Sequence, residues 1–436
     1  GHDAARGSGQ RPGVDVNGAV CPWIWDPTGV REMLAERMER VSASPTLSVL
    51  VEAERLKARG LDVVEFGAGE PDFDTPEHIK AAARAAIDQG FTKYTPAAGT
   101  GELKAAICGH YDTLYGTKYA ANEVIVTAGG KQALYNVAMA LFNRTNEVIT
   151  HAPGWPTITE QVKLADAEPV LVRTYPEDGF AMNADAFLHA ITPSTKAIII
   201  NSPCNPTGAL MAESELHRLV DEVANQNIWI ILDLCYEQLI YDPVPHNLVG
   251  ILADRLRDHT IITGSASKSY AMTGWRCGWA LGPADVIAAC NALQSHSTSN
   301  VSSISQKAAL AALTGPQAPV TEMLTEYRTR RDTLHALLTV DPRITCLKPA
   351  GAFYLFVNIS ELLSPDGIRT SAEFATRLLE EAHVALTPGE AFDAPGFLRI
   401  SYATSMERLR EGATRILDFV RKLDAAGQTS GAASGV

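Results

Sequence analysis

Apolar and polar positions in the middle of the chain alternate between short β-rich apolar runs and longer segments of helical length. The apolar runs occupy residues 124–127, 147–150, 169–172, 197–201, 228–233, 260–264 and 278–282. Continuous apolar strands separated by helices are typical of a mainly parallel sheet with helices on both faces. The pattern therefore predicts an α/β domain with a seven-stranded, mainly parallel sheet between helices.

The pattern changes towards the C-terminus, where apolar runs at 353–357 and 398–400 are mixed with helical segments. This mixture predicts a second, smaller α+β domain. Thr404 and Glu407 have the spacing of a capping box, and apolar residues follow them at helical intervals. We therefore expect the last helix to begin next to Thr404.

Composition and charge narrow the possible functions. The 436 residues suit two or three domains, and 46% hydrophobic with 20% charged residues is typical of a globular protein. The net charge of −13 disfavours nucleic acid and anionic membranes as partners. The apolar runs are too short to span a bilayer, and the N-terminus shows no secretory signal. We expect a cytoplasmic protein.

Cysteines and histidines give no sign of a metal site. The seven cysteines are scattered and include no Cys-x-x-Cys pair, and the eleven histidines include no His-Glu-x-x-His. We expect free thiols and no metal.

The most informative segment follows the run at 260–264 and contains Ser265, Ser267, Lys268 and Arg276 among small residues. Ser265 and Lys268 also have the Ser-x-x-Lys spacing of penicillin-binding enzymes, but the partner motifs of those enzymes are missing. Hydroxyls and a guanidinium beside a lysine suit a phosphate next to an amine that forms an imine. This combination is typical of a pyridoxal phosphate site.

Polar residues follow other strands as well. Asp233 ends the run at 228–233 and Tyr236 comes three residues later; a carboxylate there can keep a pyridine nitrogen protonated, although Asp233 could instead cap a helix. Asn205 lies in a stiff, proline-rich loop, where its amide can bond a ring hydroxyl.

Two further predicted strands are followed by residues suited to binding a phosphate or an aromatic ring. Gly129, Gly130 and Lys131 begin a helix whose free amides can bind phosphate. Trp155 can lie flat on an aromatic cofactor, although a single tryptophan is more often part of the core.

Taken in order, these segments resemble the class I/II aminotransferases among the fold type I pyridoxal phosphate enzymes, and most closely the bacterial aspartate aminotransferase subgroup. The narrower likeness rests on segments 66–76, 93–99, 129–133 and 397–404, and the likeness as a whole covers about residues 40–423. It implies a large cofactor-binding domain at 75–329 and a small domain formed by 33–74 and 330–425. We expect a flexible leader or remnant at 1–32 and a disordered tail at 426–436.

The resemblance also implies roles for individual residues around pyridoxal 5'-phosphate. Lys268 would carry the cofactor covalently, Asp233 would pair with its ring nitrogen, and Trp155 would stack on the ring. Tyr236 and Asn205 would bond its phenolic oxygen. The phosphate would be held by Gly129, Gly130, Lys131, Ser265, Ser267 and Arg276. Tyr94 would reach the phosphate of a neighbouring subunit, which requires a homodimer.

Substrate binding is implied in the same way. Arg399 would bind the α-carboxylate with help from Asn205, Trp155 and Gly69, while Lys131 and Thr46 would bind a distal carboxylate. The expected reaction moves an amino group between L-aspartate and 2-oxoglutarate by a ping-pong mechanism.

Three other functions compete with this reaction. Prephenate also carries a second carboxylate, so prephenate or aromatic amino acid transamination stays open, as does a pyridoxal phosphate lyase. A transcription regulator built on this fold would need a DNA-binding module, for which the first 40 residues are too few.

Overall fold

A computed structural model of the chain describes residues 34–42 and 45–433, and places side chains for residues 34–42 and 51–424. The expected leader at 1–32 lies outside the described residues. Within them, no helix is both long and apolar enough to cross a membrane.

The described residues form thirteen α-helices and thirteen strands. The helices are α1 (Pro45–Ala58), α2 (Glu77–Asp88), α3 (Gly101–Tyr115), α4 (Gly130–Leu141), α5 (Pro156–Leu164), α6 (Ala184–His189), α7 (Glu213–Val223), α8 (Leu248–Arg255), α9 (Ala284–Ser297), α10 (Ser303–Thr314), α11 (Ala318–Leu338), α12 (Ser371–Ala382) and α13 (Met406–Ala433). The strands are β1 (Val64–Glu65), β2 (Val124–Thr127), β3 (Glu147–Ala152), β4 (Glu168–Arg173), β5 (Thr195–Asn201), β6 (Trp229–Asp233), β7 (Thr260–Ser265), β8 (Gly278–Leu281), β9 (Thr345–Cys346), β10 (Tyr354–Asn358), β11 (Val384–Ala385), β12 (Thr387–Pro388) and β13 (Phe397–Ser401).

The central sheet has seven strands in the order β2-β8-β7-β6-β5-β3-β4. Strand β8 is antiparallel to both of its neighbours, and the other pairs are parallel. Apolar clusters cover both faces of the sheet, as a parallel sheet flanked by helices requires. The seven-stranded, mainly parallel sheet predicted from the sequence is confirmed.

Register between neighbouring strands determines where the polar strand ends meet. Asn201 of β5 lies opposite Asp233 of β6, and Asp233 lies opposite Thr263 of β7. Since these three strands are parallel, their carboxyl ends form one edge of the sheet. Ligands of open α/β sheets bind at this edge.

A second, antiparallel sheet has the order β12-β13-β10-β9, and β1 pairs with β11 nearby. Residues of α11, α12 and α13 share a large apolar cluster with these strands. The predicted smaller α+β layer is confirmed, whereas the exact domain boundaries stay a prediction. The boundary placed at 329/330 falls inside α11.

Two expectations for the C-terminal helix differ from the structure. The side chain of Ser405, rather than that of Thr404, accepts from the amide of Arg408 at 3.2 Å and caps the first turn of α13. The helix also continues to Ala433, into the segment expected to be disordered. Extending an existing helix avoids the cost of nucleation, so weak helix formers such as Gly427 can be accommodated.

Candidate active site

Lys268 lies in the turn between β7 and β8, at the carboxyl edge of the central sheet. Its Nζ donates to the carbonyl oxygen of Gly69 and lies 5.8 and 5.9 Å from the ring centroids of Phe353 and Tyr236. Burial lowers the pKa of Lys268, and the positive charges of Arg399 and Arg276 lower it further. The neutral amine, which is the nucleophilic and basic form, is therefore more accessible than in an exposed lysine.

Asp233 is buried at the end of β6. Its carboxylate accepts hydrogen bonds from Asn201 Nδ2 at 3.2 Å and from the amide of Cys235 at 3.1 Å. Burial raises the pKa of Asp233 to about 6, because these hydrogen bonds replace only part of the lost hydration. A cation placed against this carboxylate would favour its charged form.

His151, at the end of β3, supports this arrangement and was not assigned a role from the sequence. Its Nε2 accepts from the amide of Asn201 and its Nδ1 faces the carbonyl oxygen of Pro153, both at 3.2 Å. Since the amide only donates and the carbonyl only accepts, the proton resides on Nδ1. Burial lowers the pKa of His151 to about 4, so the ring is neutral at pH 7.

A compact cradle forms where the start of α4 meets the turn after β7. An added Cβ on Gly129 would lie 2.6 Å from Arg276 Nη2, and one on Gly278 would lie 2.5 Å from the amide nitrogen of Gly130. Only glycine leaves room for these contacts. The first amides of α4 have no partner within the helix, so they are available to an anion.

Arg276 and two serines complete the cradle. The Arg276 guanidinium donates to the carbonyl oxygens of Thr273 at 2.9 Å and Ala128 at 3.2 Å. Ser265, the last residue of β7, and Ser267 in the turn that follows are both buried. The structure therefore brings together the predicted phosphate-binding residues from 129–131 and 265–276.

Arg399 of β13 is only 3% exposed, and its partners are neutral oxygens. Its two Nη atoms donate to Asn205 Oδ1 at 3.0 Å, to the Gly67 carbonyl at 2.8 Å and to Thr387 Oγ1 at 3.4 Å. Its Nε has no hydrogen-bond partner. A guanidinium held by neutral groups keeps its full charge for an anionic ligand.

Lys131 and Trp155 lie together at the starts of α4 and α5. The Nζ of Lys131 is 5.1 Å from the centroid of a Trp155 ring. Partial loss of hydration and the charge of Arg276 lower the pKa of Lys131. Among the residues with placed side chains, no carboxylate lies within 4 Å of the Lys131 ammonium.

A second residue that the sequence did not reveal is Tyr354 of β10, whose hydroxyl lies 2.8 Å from that of Tyr236. The sequence marked residue 354 only as part of an apolar run. Tyr354 and Tyr236 are 118 positions apart. Tyr236 lies in the turn after β6 and Tyr354 lies in the second sheet, so no local sequence pattern shows that they meet.

Two other predicted site residues remain. Tyr94 is 92% exposed, and Thr46 lies in α1 but its side chain is outside the described residues. Among the described residues, no group of three or more His, Cys, Asp and Glu side chains is placed to hold a metal ion.

The residues that are present fit pyridoxal phosphate. A cationic partner would stabilise the buried carboxylate of Asp233, and the glycine cradle beside Arg276 suits a phosphate. Lys268 follows β7 at the same edge of the sheet as Asp233. A carboxylate, an amine and an anion cradle are the groups that this cofactor needs.

Comparison with known proteins agrees with this geometry. The family model for aminotransferase class I and II matches residues 61–416. The aspartate aminotransferase of Bacillus subtilis is 43% identical over 389 residues, covering 89% of this chain and 99% of that protein. The aspartate/prephenate aminotransferase of Cereibacter sphaeroides is 43% identical over 392 residues, covering 88% and 98%.

Solved structures lead to the same family. The aspartate aminotransferase from Rhizobium meliloti superposes with a TM-score of 0.85 at 39% identity, and the enzyme from Thermus thermophilus with maleate superposes with a TM-score of 0.84 at 40% identity. Each comparison covers 89% of this chain and 99% of the other. The chain belongs to the class I and II aminotransferases, a family of pyridoxal phosphate enzymes.

Proposed function

We propose that this protein moves an amino group between L-aspartate and 2-oxoglutarate, giving oxaloacetate and L-glutamate by a ping-pong mechanism. The observation that carries the choice of substrate is a pair of cations, Arg399 and Lys131. Among the residues with placed side chains, neither has an acidic partner within 4 Å. A dicarboxylate supplies one carboxylate to each cation, and a substrate with a single carboxylate leaves Lys131 without a partner.

The residues of the site divide the chemical work. When bound, pyridoxal phosphate supplies a ring that takes up the electron pair released as the α-proton leaves. Asp233 balances the positive charge of the ring nitrogen, and Arg399 orients the α-carboxylate. Lys268 accepts the α-proton at Nζ and returns it later, which its lowered pKa favours.

The remaining roles follow the same proposal. Trp155 packs on the cofactor ring, Asn205 and Tyr236 bond its phenolic oxygen, and Gly69 assists at the carboxylate. Gly129, Gly130, Ser265, Ser267 and Arg276 hold the phosphate, together with the amide of Lys131. Thr46 completes the distal carboxylate site.

We also propose a cytoplasmic homodimer, in which Tyr94 of each subunit reaches the phosphate site of the other. The 92% exposure of Tyr94 supports this arrangement, because a large aromatic side chain is seldom left so open to water.

Prephenate is the second candidate acceptor, since a relative at 43% identity is named for both substrates. Prephenate also offers two carboxylates, so the same pair of cations suits it.

The test compares amino donors and acceptors for the wild-type protein and for Lys131→Ala. We expect kcat/KM for aspartate and glutamate to fall about 10- to 100-fold, the cost of one charged hydrogen bond, while that for alanine stays within twofold. The two candidate reactions are distinguished by comparing kcat/KM for oxaloacetate, 2-oxoglutarate and prephenate as amino acceptors.

A matched control is Lys307→Ala, which removes a surface lysine that pairs with Glu102. In this control variant, kcat/KM for every amino donor should equal that of the wild type. Equal losses for aspartate and alanine in Lys131→Ala would overturn the distal-carboxylate role.

A further inference from the structure

The hydroxyl of Tyr354 lies at the centre of the site, although no predicted role includes it. It hydrogen-bonds the hydroxyl of Tyr236 at 2.8 Å, and both rings are buried. A Cβ added to Gly69 would come within 3.2 Å of the Tyr354 oxygen. Since the carbonyl of Gly69 also accepts from Lys268, Tyr354 lies beside the loop that contacts the amine.

The ring of Tyr354 contacts the carboxylate-binding cation. Arg399 Cζ lies 4.4 Å from its centroid, within range of a cation–π interaction. The pairing of β10 with β13 explains this contact, because Phe356 lies directly opposite Arg399 and Tyr354 is two residues away on the same face. One side chain therefore touches both Tyr236 and Arg399.

Each tyrosine hydroxyl has one proton to donate. If Tyr236 donates its proton to the phenolic oxygen of the cofactor, it can only accept from Tyr354. Tyr354 is then the donor that orients the Tyr236 hydroxyl and strengthens its outgoing hydrogen bond.

The other ionisable groups near this pair are Lys268, Arg399, Cys235 and Tyr327. Burial raises the pKa of both Tyr236 and Tyr354, so both hydroxyls stay protonated through neutral pH. The two hydroxyls can therefore both act as neutral hydrogen-bond donors around neutral pH.

We propose that Tyr354 is a positioning residue that acts through Tyr236 on the phenolic oxygen of the cofactor, while its ring fixes the guanidinium of Arg399. The inference rests on the proposed function, since it assumes that Tyr236 bonds the cofactor. It adds a residue that links the cofactor site to the carboxylate site.

The test is a pH titration of the visible absorption band of the holoenzyme. Removing the hydroxyl in Tyr354→Phe weakens stabilisation of the cofactor's phenolic anion. The midpoint of the band should therefore rise by about 0.5 to 1 pH unit, the size expected for one neutral hydrogen bond. The ring stays in place, so kcat for aspartate should fall more than KM rises.

Tyr354→Leu removes the ring as well. In this variant KM for aspartate should rise about fivefold or more above that of Tyr354→Phe, because Arg399 loses the nearer of its two aromatic contacts and keeps only Phe392 at 5.0 Å. A KM equal to that of Tyr354→Phe would overturn the role of the ring.

The matched control is Tyr402→Phe. Tyr402 donates to the hydroxyl of Tyr241 at 3.0 Å within the same apolar cluster. Tyr402→Phe therefore removes a comparable hydrogen bond between two buried hydroxyls. Both phenylalanine variants should lose stability, but only Tyr354→Phe should move the midpoint.

Two outcomes separate this inference from the proposed function. A normal band whose midpoint in Tyr354→Phe stays within 0.2 pH unit of the wild type, or moves equally in Tyr402→Phe, overturns the role of Tyr354 alone. If the wild type has no visible absorption band, or if Lys268→Ala keeps that band, the proposed function fails and this inference fails with it.

Discussion

Asn201 and Asp233 are joined across the neighbouring strands β5 and β6, where Asn201 Nδ2 donates to Asp233 Oδ2 at 3.2 Å. The backbone amide of Asn201 is in turn held by the neutral ring of His151. This connection fixes the orientation of the Asp233 carboxylate. Burial raises the pKa of this carboxylate to about 6.

In the cofactor-free protein, burial of the Asp233 carboxylate should lower the free energy of unfolding. Comparison of the wild type with Asp233→Asn should reveal this cost. The folded-state pKa of Asp233 lies above the ordinary value of 3.8, so the wild type loses stability as pH rises from about 4 through about 6. Asp233→Asn should match the wild type near pH 4. At pH 8 its free energy of unfolding should exceed that of the wild type by about 2 to 3 kcal/mol.

Urea unfolding of both proteins at several pH values measures this difference. Since the cofactor supplies the missing cation, the order should reverse in the holoprotein, where Asp233→Asn should bind pyridoxal phosphate more weakly. A stability difference that does not change between pH 4 and 8 would contradict the raised pKa.

Arg399→Lys keeps the positive charge but loses the planar fork that binds a carboxylate at two points. We expect kcat/KM for aspartate to fall about 100-fold, as for the loss of one or two charged hydrogen bonds. Because every amino acid has an α-carboxylate, alanine should lose the same factor. Steady-state kinetics check this, and a loss confined to aspartate would instead place Arg399 at the distal carboxylate.

Gly129→Ala should disturb the phosphate cradle. Gly129 has φ +81°, and its new Cβ would lie 2.6 Å from Arg276 Nη2, so the guanidinium must move. The affinity for pyridoxal phosphate should fall at least tenfold, while the weaker binding of pyridoxal, which has no phosphate, should barely change. Fluorescence titration with both compounds measures the two affinities.

A second glycine provides the control for this change. Gly109 lies in α3 with nothing within 4 Å of an added Cβ, so Gly109→Ala should leave both affinities unchanged and stabilise the helix by up to about 1 kcal/mol. Equal losses of pyridoxal and pyridoxal phosphate binding in Gly129→Ala would show general damage rather than a phosphate site.

A buried pair behind the site should contribute mainly to stability. His110 Nε2 lies 2.9 Å from Glu237 Oε1, and the Tyr115 hydroxyl donates to Glu237 Oε2 at 2.9 Å. His110→Ala leaves the Glu237 side chain, which is only 4% exposed, without one of its two side-chain partners, so the free energy of unfolding should fall by about 1 to 3 kcal/mol. Denaturant unfolding measures this loss.

The control for His110→Ala is Arg84→Ala, which breaks an exposed ion pair with Glu77. That variant should unfold at the wild-type denaturant concentration, because water and salt screen such pairs. A loss in His110→Ala no larger than that of the surface control would mean that Glu237 finds another partner.

The sequence by itself determined the central sheet and much of the candidate site. Apolar runs such as 197–201 and 260–264 are buried on both faces, and this pattern depends only on neighbouring residues. Asp233 and Lys268 each follow such a run, so their place at the carboxyl edge of a parallel sheet followed from the alternation of strands and helices.

The tertiary structure alone decided which distant residues meet there. His151 supports Asn201 through the pairing of β3 with β5, and Tyr354 of the second sheet reaches Tyr236 in the turn after β6. It also placed the cap of α13 at Ser405 instead of Thr404. Local periodicity specifies which face of a strand or helix is buried, whereas partners and register depend on how the whole chain packs, which no short window of sequence contains.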